Sequence, residues 1–104
     1  MKTAPYLRPG STGFYNSANE WQCTGSMMGR AQIFPDDREA PQKLHLRRVP
    51  FVDQCYDRGG AYWGAPANLW CAWNDECEFF VRSNSRHEAK QEVYTLHRPS
   101  RFYR

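Results

Sequence analysis

Apolar and polar residues alternate most cleanly over Lys43–Arg48, where Leu44 and Leu46 are set between Lys43, His45 and Arg47. That period of two predicts a half-buried strand, with one apolar face and a Lys/His/Arg stripe on the other. Arg48 breaks the alternation and Pro50 has no N–H to give, so the strand is expected to bend or end there. Leu69–Trp73 and Glu76–Val81 flank the turn signal Asn74-Asp75 and predict a hairpin. An odd loop of Trp73-Asn74-Asp75 puts Cys71 opposite Cys77 and Leu69 opposite Phe79, with Glu76 and Glu78 on the other face. A two-residue loop puts Cys71 opposite Glu78 and mixes charge with apolar groups, so the pattern favours the odd loop. Cys71 and Cys77 then become neighbours, expected as a reduced core pair.

The period changes to 3.6 after Ser85. Ser85 and Glu88 form a capping-box signature, and Ala89, Val93 and Leu96 make one apolar stripe. The helix is expected to stop before Pro99, with Arg101–Arg104 adding a short last strand. Upstream, Gly59-Gly60 suits a reversal into Ala61-Tyr62-Trp63, and Ala31–Phe34 is a candidate short strand. Residues 1–42 otherwise carry turn chemistry at short intervals. The expected fold is α+β: an antiparallel three- to four-stranded β-meander, one α-helix of the C-terminal half on one face, and a loop-rich N-terminal arm. Residues 1–27 are expected as an extension, with Met28 as an internal start, and 28–104 as the single domain. Phe14, Tyr15 and Trp21 are the arm's candidate anchors.

Composition sharpens this picture in two ways. The 104 residues hold 16 aromatics, and Tyr56, Tyr62, Trp63, Trp70, Trp73, Phe79 and Phe80 crowd into one quarter of the chain. One helix on one face does not cover them all, so they are covered by the arm or form a contact surface. Net charge is +3, and residues 79–104 hold six Lys/Arg against two acids. That imbalance suits a nucleic acid or an acidic protein surface, as well as a solvated helix face. No apolar run approaches the ~20 residues of a membrane span, and the start lacks an apolar signal region, so the cytoplasm is the expected compartment.

Chemistry is sparse. Cys23, Cys55, Cys71 and Cys77 show no zinc spacing, and Gly59-Gly60 lacks phosphate-loop spacing, so neither metal nor cofactor is expected. Cys55 or Asp57 could serve a small hydrolase, although Asp57 more naturally forms the turn and pairs with Arg58. Tyr56, Arg58, Tyr62 and Trp63 are the candidate contact residues, because Tyr, Trp and Arg dominate binding hot spots. Arg47, Arg48, Arg86 and Lys90 are the candidate electrostatic support. On that reading Trp63→Ala weakens binding and leaves the thermal midpoint alone.

Met28-Gly29-Arg30, the block Asp57-Arg58-Gly59-Gly60-Ala61-Tyr62-Trp63-Gly64, Phe80-Val81-Arg82 with Ser85–Lys90, and Arg101-Phe102-Tyr103-Arg104 together resemble small uncharacterised proteins of bacterial mobile elements. The resemblance covers about residues 28–104 and implies a genetic setting without an activity. In that setting a non-catalytic accessory or anti-defence factor docking on a host protein or nucleoprotein complex is the leading expectation. A single-stranded nucleic-acid binder is the alternative from another class, and a small hydrolase is the third.

Overall fold

The computed structural model describes residues 3–8, 13–15, 17–19, 21–23, 29–30, 32–52, 55–64 and 68–104, with backbone alone at 13–15 and 21–23. Among the described residues eight strands and one α-helix follow in chain order, after a short 3-10 turn at Pro5–Leu7. β1 (Gly13–Tyr15) and β2 (Trp21–Cys23) pair as an antiparallel hairpin of their own. β3 (Gln42–Arg48), β6 (Leu69–Trp73), β7 (Glu78–Arg82) and β8 (Ser100–Phe102) form the main sheet in the order β7-β6-β3-β8. β4 (Phe51–Val52) and β5 (Tyr56–Asp57) form a small antiparallel pair, and α1 spans Arg86–Leu96. Phe14, Tyr15 and Trp21 have side chains outside the described set, as do Met27, Met28 and Ala31 altogether. Of the expected strand at 31–34, Ile33 makes an isolated bridge to Glu78.

The α+β class holds, but the sheet is mixed. β3, β6 and β7 make the expected antiparallel run, whereas β8 lies parallel to β3, with Gln42 opposite Ser100 and Leu44 opposite Phe102. The helix explains this correction to the all-antiparallel meander. α1 carries the chain from β7 at one edge to β8 at the other, and a helical crossover returns the chain in its original direction. Ser85 caps α1 as expected, its hydroxyl accepting the Glu88 N–H at 3.2 Å, while the Glu88 carboxylate reaches the Asn84 N–H. Ala89 and Val93 are fully buried beneath it.

The hairpin register also differs from the expected one. Cys71 faces Phe80, Trp73 faces Glu78, and the loop is Asn74–Cys77. The Asn74 side-chain oxygen accepts the Glu76 and Cys77 N–H groups at 2.8 and 2.9 Å, and the Asn74 N–H closes onto the Cys77 carbonyl. An asparagine-built four-residue turn therefore overrides the odd loop. Cys77 points into the core under the helix and Cys71 into the core on the opposite face, so the two are not neighbours.

This sheet is covered twice. On the helix side lie Leu44, Leu46, Trp70, Ala72, Cys77, Phe79, Val81, Ala89 and Val93. On the other side Val49, Trp63, Leu69, Cys71, Trp73 and Phe80 form a second core, closed by Ala4, Tyr6 and Phe51. Tyr6 meets Trp73 edge-on at 5.8 Å between ring centres, and Arg8 forms an ion pair with the buried Glu78. The cover over much of the aromatic surplus thus includes residues 4–8 and the glycine-rich loop. The outer edge of β7 is sealed as well. Ile33 exchanges both backbone hydrogen bonds with Glu78, and the Gln32 amide does the same for Phe80 at 2.6 and 2.8 Å.

Candidate functional site

The glycine-rich block is built around Asp57, whose side chain is 0% exposed. Its Oδ1 accepts the backbone N–H groups of Gly59 and Ala61 and one Arg30 N–H, each at 3.0 Å. Its Oδ2 accepts Arg30 Nε–H at 2.8 Å and Trp63 Nε1–H at 3.0 Å. The turn itself closes through Asp57 N–H to the Ala61 carbonyl, with Gly60 at φ 93°, a conformation that costs glycine nothing. Burial alone pushes the Asp57 carboxyl up, but the hydrogen bonds from Arg30, Trp63 and Ala61, together with the Arg30 charge, outweigh it and hold the group below its ordinary value. The partner is Arg30, not the neighbouring Arg58. With two or more donors on each oxygen, Asp57 has no free lone pair to act as a base. Burial, with Glu78 beside it, pushes the Cys71 thiol well above its usual range, which disfavours the nucleophilic thiolate.

Trp63 belongs to this hub and not to a contact surface. It is 7% exposed, packs on Phe80 at 4.9 Å, and lies flat against Gly29, where any Cβ would collide with the indole. Gly29 sits at φ 75° and donates its N–H to the Tyr62 carbonyl. The expectation that Trp63→Ala spares stability is therefore reversed. A milder change isolates the hydrogen bond: Trp63→Phe keeps an aromatic ring, leaves Asp57 one donor short, and should cost about 1–3 kcal/mol in urea unfolding.

Tyr56 and Tyr62 do remain at the surface, 42% and 38% exposed, with ring centres 5.2 Å apart. Val52 stands beside Tyr56 across the β4–β5 pair, and Arg58 is exposed in the adjoining turn. Arg48, also exposed, is committed to the Asn68 side chain at 3.1 Å and lies over the Trp70 ring.

The other predicted cations meet elsewhere. Beyond the end of β8, the edge of β3 opens into a cleft of about 390 Å³ lined by His45, Leu46, Arg47, Arg86, Lys90, Phe102, Tyr103 and Arg104. Four of these carry positive charge and none is acidic. Arg86 is held by the backbone it shields, donating to the Leu46 carbonyl at 2.7 Å and to the Tyr103 carbonyl at 3.2 Å. Two of its five N–H groups are used there, which leaves three for a ligand. His45 stacks on Tyr103 at 4.3 Å with rings 10° from parallel and leans on Trp73 at 5.1 Å. Lys43 lies over Tyr103 and Lys90 over Phe102, at 4.3 and 5.6 Å from the ring centres. Like charges gathered in a concave, partly apolar setting produce a positive potential that concentrates anions.

Arg47, Arg86 and Lys90 are thus brought together, whereas Tyr56, Arg58 and Tyr62 lie in the glycine-rich hairpin and do not line the cleft. His45, Tyr103 and Arg104 were not singled out from sequence. The signal for them was the Lys43/His45/Arg47 stripe and the basic-aromatic tetrapeptide Arg101–Arg104, which only the parallel β8 joins. Fold and cleft together define a small α+β domain with a single-signed cationic cleft at its sheet edge. No family model, curated protein or solved structure matches the chain. No helix among the described residues is long and apolar enough to cross a membrane.

Proposed function

We propose that the protein is a non-catalytic binding protein that holds single-stranded nucleic acid by its phosphates in the cleft between β3, β8 and α1. The observation that carries this reading is the convergence of Arg47, Arg86, Lys90 and Arg104 on one hollow whose lining contains no acidic side chain. Proteins that read a duplex push a protruding helix or ribbon into a groove about 12 Å wide. Here the cations line a concavity beside aromatic rings, which suits a flexible strand threading past side chains. An accessory or anti-defence protein of a mobile element, meeting nucleoprotein complexes, would use the same face. This reading sets the cleft ahead of the Tyr56–Tyr62 surface, where Arg58 is the adjoining cation of the turn and Trp63 is buried in the core.

Binding of an oligothymidylate, followed by fluorescence anisotropy, should weaken with salt. With three or four phosphates neutralised, log affinity falls against log salt with a slope of about −2 to −3, or roughly 20–50-fold between 50 and 200 mM salt. Arg47→Gln and Lys90→Gln should each flatten the slope by about 0.7. No binding at low salt, or affinity indifferent to both substitutions, would remove the proposal.

A further inference from the structure

A second hollow, of about 440 Å³, opens beside the cleft and shares Arg47 with it. Its chemistry is different. Val49, Pro50 and Phe51 contribute an apolar floor, with Tyr6 and the Arg47 and Arg48 guanidiniums around it. Pro50 brings no N–H, and Asn68 on the rim is partly engaged: its Oδ1 accepts from Arg48 at 3.1 Å and its Nδ2 donates to Asn84 at 3.0 Å. Asn68 is tied at both ends of its amide to Arg48 and Asn84, while Val49, Pro50 and Phe51 offer apolar surface. The pair of hollows reproduces in space what a nucleotide strand presents along its length: charged phosphate, then a planar base whose faces are apolar.

We propose that the Val49–Phe51 hollow is a base-binding subsite for the strand whose phosphates occupy the cleft, with Arg47 as the shared post between them. The inference rests on the cleft being the phosphate site. Recognition here is dominated by stacking and burial of the base, so the subsite tolerates sequence and favours the larger purine faces. Its size lies within the roughly 300–1,000 Å³ range of small-ligand sites.

The test compares an oligothymidylate with an abasic oligodeoxynucleotide of the same length, which carries the same phosphates without bases. The normal strand should bind about fivefold or more tighter, the change expected for one stacked base. Phe51→Ala and the milder Pro50→Ser should each erase that ratio and leave abasic affinity unchanged, in variants shown by near-ultraviolet circular dichroism to remain folded. Pro50 is exposed, so its variant keeps the test usable if Phe51→Ala does not fold. Equal affinity for the two strands, both salt-dependent, would overturn the subsite and leave the cleft standing. If neither strand binds, the cleft reading fails and the subsite with it.

Discussion

Asp57→Ala is expected to cost about 3–5 kcal/mol in urea unfolding, the range for removing one partner of a buried, hydrogen-bonded ion pair. The loss reaches beyond one contact. Arg30 keeps its bond to the Arg8 carbonyl but loses its counter-charge, the Gly59 N–H keeps its bond to the Tyr6 carbonyl, and the Ala61 and Trp63 donors are left facing apolar carbon. The pH dependence follows from the lowered carboxyl. Above the ordinary value of 3.8 the group is charged in both folded and unfolded chains, and its stabilisation is complete. As pH falls below that value the unfolded chain gains the proton first, so stability drains until the folded carboxyl titrates at its lower value. Asp57→Asn should lack this part of the acid limb. Parallel acid profiles for the two proteins would show that Asp57 does not supply it.

Deleting residues 1–8 should abolish cooperative folding. The deletion strips Tyr6 from Trp73 and removes the Arg8 partner of Glu78, whose side chain is 3% exposed. It also takes the Tyr6 carbonyl from Gly59 and the Arg8 carbonyl from Arg30. Removing one partner of a buried ion pair alone costs about 3–5 kcal/mol, and small domains are stable by only about 5–15 kcal/mol in total. Tryptophan fluorescence during urea unfolding should lose its sigmoid, and a hydrophobic dye should bind the truncated chain at zero denaturant. An unchanged midpoint would instead make the arm dispensable and support 28–104 as a self-sufficient domain.

Both expectations turn on a surface that sequence patterning could not display. The strand Gln42–Arg48, the helix and its Ser85 cap, and the Gly60 reversal were legible because each has a local cause: alternation, a capping hydroxyl, a turn needing positive φ. The register of β6 and β7 was not. All five residues of β6 are buried, so neither face is marked as solvent and the period of two carries no instruction. The same two-sided burial hid Trp63, whose neighbours Gly29 and Asp57 come from segments far from the hairpin or from its own loop. β8 is three residues long, and its parallel partner is set by where α1 ends, a tertiary matter. Of the candidate site, Arg47, Arg86 and Lys90 were named for charge alone. Their meeting point had to wait for that crossover.

The side-chain amide of Gln32, lying along Phe80 like one more strand residue, has a consequence for how copies of this protein meet. A bare strand edge invites another backbone to add to it, and crowded molecules then grow into ribbons. Here the β7 edge has been completed from within, and Arg86 occupies the carbonyl that β3 exposes past the end of β8. At those two places neighbouring molecules must approach through side chains. The same arginine that fends off a stray strand at the cleft keeps its other N–H groups for the phosphate contact proposed above.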